Sequence, residues 1–219
     1  MLTPTCQLLP PGLPGYDPYC PYASDPDADS AAAAAPDLDR ARRLVARSGT
    51  AGTHVAFWVR KDPPSDLVRE IVQALRRIGY RATVEARFDI DHYASWTQDR
   101  AHRTQAGLSL WIADLPTASN VIPPLLSCAA AQHRGPYPYN QAQFCDPSLD
   151  SLMDRAHALE AAEPAAANRL WARIDHEIVR RAPIVPLFAW QGLQVTSTRL
   201  GNYQYNPSLG PLLAQAWVR

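Results

Sequence analysis

Net charge and long apolar runs are the two features that this sequence most clearly lacks. Its 219 residues include 21 basic and 21 acidic side chains, so the formal net charge is zero. A neutral chain offers no general attraction to nucleic acid or to an anionic membrane surface. No apolar run reaches the roughly 18 residues that a membrane-spanning helix needs. The start, MLTPTCQLLPPG, also lacks the charged and apolar regions of a signal peptide, and we expect the chain to be a fragment of a longer protein.

Catalytic and cofactor-binding motifs are also missing. The sequence contains no GxSxG, HExxH, Walker A or GxGxxG pattern, which are common signatures of hydrolases, zinc proteases and nucleotide-binding enzymes. Its six histidines share no metal-ligand spacing. The sequence therefore predicts a protein that is not an enzyme and that uses neither a metal nor a cofactor.

Cysteine is scarce, and the four cysteines allow three pairings. Pairing Cys6 with Cys20 and Cys128 with Cys145 closes two short loops rich in proline, tyrosine and glycine. Such loops bury little apolar surface, and each cross-link would stabilise the fold by on the order of 3 kcal/mol. A zinc site and free thiols are the alternatives, although no pair has the CxxC spacing of structural zinc. Two disulfides would place the domain outside the cytosol.

Strand and helix patterns alternate through the first half of the chain. Residues 1–36 form an irregular approach, because frequent prolines forbid a continuous helix or a central strand. The pattern that follows predicts a βαβαβ unit with parallel strands. Its predicted elements are a helix capped by Asp37, a strand Thr53–Val59, a helix from the Ser65 cap to Gly79, a strand Tyr80–Phe88, a helix Asp89–Arg100 and a strand Gly107–Ala113.

Helices dominate the next part, and short strands end the chain. We expect an α/β lobe over residues 37–182 and C-terminal strands over residues 183–219. The predicted elements are a helix Ala118–Cys128 interrupted by Pro123-Pro124, a helix capped by Ser148, a helix Pro164–Arg181, and strands Ala182–Trp190, Leu193–Ser197 and Leu212–Val218.

The segment Leu108–Ser119, LSLWIADLPTAS, is the first candidate for a binding site. Its apolar run ends abruptly at Asp114 and Pro116, as expected of a buried strand that delivers a polar residue to a sheet edge. Ligands of open α/β sheets bind beyond the carboxyl ends of the strands. We therefore expect Asp114 and Trp111 to face a ligand. The alternatives are a turn residue for Asp114 and plain core for Trp111.

Four sequence signatures, in order, resemble one family. They are LVREIVQALRRIGYRATV at Leu67–Val84, W-x-A-D with a following proline at Trp111–Pro116, N-x-x-x-F-x-D-P-x-x-D-x-L-M-x-x-A at Asn140–Ala156, and APIVPLF at Ala182–Phe188. The chain resembles the C-terminal lobe of the extracellular solute-binding proteins of ABC importers, in the family of peptide- and nickel-binding proteins (family 5). The resemblance implies one lobe of a type II periplasmic-binding-protein (Venus-flytrap) fold.

The resemblance also implies a site. In that family an aspartate of the W-x-A-D segment holds the α-amino group of a bound peptide, and Asp114 occupies its position. A buried ammonium needs a charged partner, which a carboxylate supplies. Trp111 and Leu115 would wall the cleft. Tyr137 and Asn140 lie in a loop that would face the cleft, unless PYPY is only disulfide-stapled scaffolding.

The function implied is substrate binding for an ABC import system. A peptide or similar small amphipathic solute would lie between this lobe and an N-terminal lobe that the chain lacks, and permease subunits would be further partners. We expect an extracellular or cell-surface location, with a lipid anchor as one way of attachment. The alternative is a sensory or interaction domain of a larger regulatory protein. A hydrolase would need a nucleophile and a base near Asp114, yet neither Ser109 nor Ser119 has a histidine nearby in sequence.

Overall fold

The structure is a computed structural model with two separate hydrophobic clusters. One cluster is formed by Phe57, Val59, Val68, Val72 and Ala82, and we call the part around it the α/β unit. The other is larger, centred on Trp171, Ile174 and Ile178, and we call the part around it the helical unit. The structure describes residues 2–23, 36–61, 65–88, 93, 96–97, 99–132, 139–190, 194–206 and 210–219.

The α/β unit contains the predicted parallel sheet. Strands β2 (His54–Arg60), β3 (Arg81–Phe88) and β4 (Ala106–Gly107) pair in the order β3-β2-β4. Both pairings are parallel, and α2 (Asp66–Arg77) connects β2 to β3. Helix α2 buries Val68 and Val72, which belong to the same cluster as Phe57 of β2. The predicted strand–helix–strand order is confirmed.

Helix boundaries in this unit follow the capping residues of the sequence. Helix α1 (Leu38–Arg47) begins after Asp37, whose carboxylate accepts from the backbone N–H of Arg40. Ser65 caps α2 by accepting from Val68 N. Gly79 follows α2 with φ +115°, a conformation that glycine adopts without steric penalty. All three predicted boundaries are confirmed.

The connection from β3 to β4 is described in part. Tyr93, Trp96 and Thr97 are helical, and the remainder of the predicted helix up to Gln98 lies outside the described residues. The Tyr93 hydroxyl donates to the Trp58 carbonyl at 3.0 Å. A β-carbon at position 107 would collide with that hydroxyl and lie 3.0 Å from the same carbonyl oxygen, so this crossing requires Gly107.

The predicted strand Gly107–Ala113 is wrong in extent, because β4 ends at Gly107. The chain then leaves the sheet and runs from one core to the other. Ala106 and Leu108 pack against the cluster of the α/β unit, whereas Trp111 and Ala113 pack against that of the helical unit. Residues 108–113 therefore form an apolar bridging segment between the two cores, rather than the end of a long strand.

Within the described ranges, the helical unit contains four α-helices. They are α3 (Ile122–Leu126), α4 (Cys128–Gln132), α5 (Pro147–Leu159) and α6 (Pro164–Arg181). Two predicted details are wrong. Pro123 and Pro124 lie in the first turn of α3 and start that helix instead of interrupting it, because a first-turn proline loses no helical hydrogen bond. Asp146, rather than Ser148, caps α5 and accepts from Ser148 N and Leu149 N.

A buried carboxylate attaches the N-terminal segment to this unit, and the first disulfide closes a loop within that segment. Asp175 of α6 is fully buried and accepts from Gln7 Nε2 at 3.0 Å, Leu8 N at 3.1 Å and Leu9 N at 3.2 Å. The predicted disulfides Cys6–Cys20 and Cys128–Cys145 are both present, and none of the four cysteines is free. The zinc and free-thiol alternatives are thereby ruled out.

Short strands, more numerous than predicted, complete the fold. Strand β1 (Leu2–Pro4), inside the segment expected to be irregular, pairs antiparallel with β5 (Phe188–Trp190). The predicted strand Ala182–Trp190 thus shrinks to its last three residues, and residues 194–197 form no strand. The final strand is replaced by a 3₁₀ turn, Leu213–Gln215, and a two-residue strand. The remaining strands are β6 (Leu200–Gly201), β7 (Tyr205–Asn206), β8 (Gly210–Pro211) and β9 (Trp217–Val218), which pair as β6–β9 and β7–β8.

Candidate functional site

The Trp111–Asn120 segment is folded as a compact loop at the carboxyl side of β4. The side-chain oxygen of Asn120 accepts from Asp114 N at 2.6 Å and from Leu115 N at 3.1 Å. Leu115 in turn accepts from Thr117 N at 2.8 Å through its carbonyl oxygen. A 3₁₀ turn, Ala118–Asn120, follows and leads into α3. These bonds hold Asp114 at the turn of the loop.

Trp111 is held at both ends of its ring. Its indole N–H donates to the Asn120 carbonyl at 2.9 Å, and the half-buried ring packs against the helical cluster. The ring of Tyr139, which is 49% exposed, meets it edge-on at a centroid distance of 4.9 Å. Trp111 thus combines the predicted core role with a place beside an exposed aromatic residue. Its contact with a ligand stays a prediction.

Asp114 and Leu115 are both exposed. Leu110, Ile112 and Leu115 expose 64%, 65% and 59% of their surface, respectively. The alternating residues Trp111 and Ala113 are half-buried, so the bridging segment packs one face on the core and presents an apolar face with a carboxylate at its end. That combination suits a small molecule with both apolar and cationic parts.

A groove of about 490 Å³ begins at this loop and crosses α5. It is lined by Leu115, Thr117, Ser119, Asn120, Pro123, Ser127, Ala129, Asp150, Met153, Asp154 and His157. Asp150 is engaged, since its carboxylate accepts from Cys128 N at 3.0 and 3.2 Å at the start of α4. A second groove of about 660 Å³ lies between the Cys6–Cys20 loop and α6. We take the first as the candidate site because it contains Leu115 and lies beyond the end of a strand.

Glu160 organises the hydrogen bonds along the wall of this groove. One carboxylate oxygen accepts from Ser119 Oγ at 3.0 Å and lies 3.1 Å from His157 Nδ1. The other accepts from the indole N–H of Trp171 at 2.9 Å. Ser119 and His157 thus share one carboxylate oxygen, and in the described part of the chain no hydrogen bond joins the two side chains to each other.

The disulfide loop that follows α4 has a structural role. Asn140 is fully buried, donates from Nδ2 to the carbonyls of Ser127 and Phe144, and accepts from Phe144 N. These bonds close the loop beside the Cys128–Cys145 bridge. A ligand contact by Asn140 stays a prediction, and the predicted contact of Tyr137 lies outside the described residues.

Two residues of the candidate site, Asn120 and Glu160, were not predicted from the sequence. Asn120 is a short polar residue after a proline-containing turn, where asparagine commonly accepts backbone hydrogen bonds, so turn chemistry was the available signal. Glu160 follows a helix and gave no signal. Across the described ranges, no group of three histidine, cysteine or acidic residues is close enough to hold a metal, and no helix is long and apolar enough to cross a membrane.

The chain is similar in sequence to a peptide-binding protein. The di/tripeptide-binding protein 4 of Pseudomonas aeruginosa is 26% identical over 177 residues, which cover 78% of this chain and 32% of the relative. No protein-family model matches the chain. This chain spans about a third of the length of that curated relative.

Solved structures show the fold. A clavulanic acid biosynthesis oligopeptide-binding protein 2 superposes with a TM-score of 0.83 at 24% identity, over 99% of this chain and 39% of that one. The ABC transporter-associated periplasmic binding protein DppA of Helicobacter pylori, in complex with the peptide STSA, gives a TM-score of 0.69 at 20% identity, over 85% and 33% of the two chains. The chain matches a fragment of a peptide-binding protein of this kind. The predicted α/β lobe of a type II periplasmic-binding-protein fold is confirmed.

Proposed function

We propose that this chain is the peptide-binding lobe of the substrate-binding component of an ABC import system. The observation that carries the proposal is the likeness in fold over 99% of the chain to 39% of an oligopeptide-binding protein. A second lobe would complete the cleft, and closure of the two lobes would enclose the ligand. Relatives that bind solutes for transport do not favour a sensory domain, and binding without catalysis is the activity we propose.

The exposed apolar face supports a second lobe. Leu110 and Ile112 lie more than half exposed on the bridging segment, between two cores that bury their neighbours. Further apolar residues are exposed near the C-terminus, including Val195 and Leu213 at 87% and 67%. Contact with another lobe would remove this surface from water, which is favourable by about 25 cal/mol per Å².

Asp114 supplies the charge in this proposal. Its backbone is fixed by Asn120 and its carboxylate is exposed at the end of the apolar face. A peptide α-ammonium placed there would form a charge-assisted hydrogen bond, strengthened once the second lobe excludes water. Trp111 and Leu115 would contact the adjoining side chain of the peptide. Tyr137 completes the proposed set of contacts, and the buried Asn140 would support the site by closing the loop that contains Tyr137.

The location and partners follow from the same proposal. Two disulfides are consistent with an oxidising compartment, so we place the protein outside the cytosol. A lipid anchor on a preceding segment would keep the protein at the membrane surface, and the permease subunits of the importer would receive the closed, loaded form.

Calorimetric titration tests the two-lobe proposal. The full-length protein and the 219-residue chain are each titrated with the peptide Ser-Thr-Ser-Ala and with its N-acetylated form. We expect the shorter chain to bind the free peptide at least about 100-fold more weakly, because half of the enclosure is absent. Equal, tight binding to both proteins would contradict a cleft shared between two lobes.

The Asp114→Ala variant tests the carboxylate. We expect it to weaken binding of the free peptide by about 10- to 100-fold and to leave the weak binding of the acetylated peptide unchanged, since only the free peptide carries an ammonium. Asp66→Ala, which removes an exposed carboxylate from α2, is the matched control and should leave both affinities unchanged. Unaltered affinity of Asp114→Ala for the free peptide would remove Asp114 from the site.

A further inference from the structure

Asn120 accepts three hydrogen bonds from the loop that carries Asp114. Its side-chain oxygen accepts from two consecutive backbone amides, those of Asp114 and Leu115, and its carbonyl oxygen accepts from the indole of Trp111. We propose that Asn120 is a positioning residue that sets the direction of the Asp114 carboxylate. The inference rests on the proposed function, in which that carboxylate binds a peptide ammonium.

The geometry of the shared acceptor explains how Asn120 would set the direction of the Asp114 carboxylate. Two neighbouring N–H groups converge on one oxygen, at 2.6 and 3.1 Å, so the peptide planes on both sides of the Asp114 α-carbon are fixed together. The direction of the bond from that α-carbon to its β-carbon follows from those planes. Both contacts come from N–H donors, so the side-chain oxygen, not the amide nitrogen, must face the loop.

Asn120 is itself anchored to the core of the helical unit. Its neighbours Ala118 and Val121 are buried at 2% and 7% exposure, while its own N–H donates within the loop to the Thr117 carbonyl at 3.1 Å. Ser119 adds a bond to Glu160, which also holds Trp171. The exposed Asp114 is thereby connected through Asn120 to residues that pack in the core of the helical unit.

An asparagine suits this position because its short side chain places one acceptor oxygen within reach of both loop amides. Within the described part of the chain, its Nδ2 group has no hydrogen-bond partner, and the residue lines the groove. Alanine at this position would leave two loop amides without their acceptor. Aspartate would retain an acceptor of the same size, and the bonds it accepts would be charge-assisted. The two substitutions therefore separate the role of the acceptor from the mere presence of a polar residue.

Amide hydrogen exchange, measured by NMR on the full-length protein, tests the geometry without a ligand. In Asn120→Ala we expect the Asp114 and Leu115 amides to exchange about tenfold faster, as loss of a hydrogen bond of roughly 1.4 kcal/mol predicts. Asn120→Asp should restore the native rates. The Trp111 indole should stay unshifted, because its acceptor is the backbone carbonyl. Asn168→Ala, on α6, is the control and should change neither amide. Unchanged exchange in Asn120→Ala would overturn the inference.

A double-mutant cycle in the full-length protein tests the link to binding, with Ser-Thr-Ser-Ala as the probe. We expect Asn120→Ala to weaken affinity by about tenfold. Asn120→Asp should retain native affinity, and Asn120→Ala should have no further effect when combined with Asp114→Ala. Additive effects would overturn positioning through Asp114.

The two proposals fail in distinguishable ways. If the native protein does not bind the probe, or if Asp114→Ala binds as well as native, the proposed role of Asp114 fails while the exchange experiment still decides whether Asn120 holds the loop. If Asp114→Ala weakens binding and Asn120→Ala does not, the role of Asn120 fails and that of Asp114 stands.

Discussion

The α/β unit and the helical unit are held together by different kinds of interaction. In the α/β unit, apolar side chains of a parallel sheet and one helix form the core, and the helix ends are capped by residues next to them in sequence. The helical unit has the larger apolar core. In addition, its two disulfides close loops with sequence separations of 14 and 17 residues, and the buried carboxylate of Asp175 connects segments far apart in the chain. The separation between Asp175 and Gln7 is 168 residues.

The difference shows where the candidate site obtains its rigidity. The bridging segment leaves the α/β unit at Gly107, but the loop that carries Asp114 contacts the helical unit: Ser119 Oγ donates to Glu160, and Trp111 packs against the helical cluster. The end of the parallel sheet directs the chain toward the site, whereas polar contacts within the loop and with the helical unit fix the backbone at Asp114. Loss of the sheet and loss of those polar contacts should therefore have separable consequences.

Truncating the core of the α/β unit should have the largest effect. Phe57→Ala leaves a cavity beneath β2, and we expect a loss of about 4 kcal/mol in the free energy of unfolding. Hydrogen exchange should show lost protection in β2 and β3 and retained protection in α6. His54→Ala, an exposed change in the same strand, should alter stability by less than about 1 kcal/mol. Equal loss of protection in α6 would mean that the two units unfold as one.

Removing the Cys128–Cys145 disulfide should destabilise the helical unit. Replacing Cys128 and Cys145 by serine opens a loop with a sequence separation of 17 residues, and we expect a loss of about 3 kcal/mol. Denaturant unfolding and hydrogen exchange of the variant should place the loss in α4 and α5. The Cys6 and Cys20 pair, with a separation of 14, is the matched comparison and should give a similar loss near α6. Reduced protection in β2 would contradict the independence of the two units.

Local signals explain why the α/β unit was predicted well. Asp37, Ser65 and Gly79 act within one helical turn, and the apolar period of α2 is independent of the rest of the fold. The Asp146 cap of α5 was misplaced by two residues because Ser148 is equally suitable in sequence. In both units, therefore, a helix is readable from the sequence when its stabilising groups lie within it or beside it.

Long-range pairing explains what could not be predicted. The pairing of β1 with β5 joins opposite ends of the chain, and neither segment carries a distinctive strand pattern. The run LSLWI predicted a buried strand, but Leu110 and Ile112 are exposed because no described element covers that face. Asp114 was predicted as a site residue from its place at the end of that run, and its role stays a prediction. Asn120 was missed, because the need for one acceptor for two amides appears only once the loop is folded.

A buried carboxylate should also make the helical unit sensitive to pH. Burial raises the pKa of Asp175 above that of an exposed aspartate, while the hydrogen bonds from Leu9, Leu8 and Gln7 and the nearby His176 oppose the rise. A raised pKa means that the folded chain binds this proton more tightly than the unfolded chain. Between the unfolded pKa, about 3.9, and the raised folded value, folding takes up a proton, so stability falls as pH increases.

Asp175→Asn tests that dependence. The pH-dependent difference in free energy of unfolding should be smaller than the losses expected for Phe57→Ala and for the disulfide variants. We expect the native protein to lose free energy of unfolding relative to the variant as pH rises from about 4, by at most about 1.4 kcal/mol for each pH unit inside the window, and then to level off. Chemical denaturation of both proteins at several pH values measures the difference. A native protein that gains stability over the variant in this range would show that the three hydrogen bonds outweigh burial. The α/β unit should show no such dependence from Asp175, because the carboxylate accepts its hydrogen bonds from the N-terminal segment that packs on the helical unit.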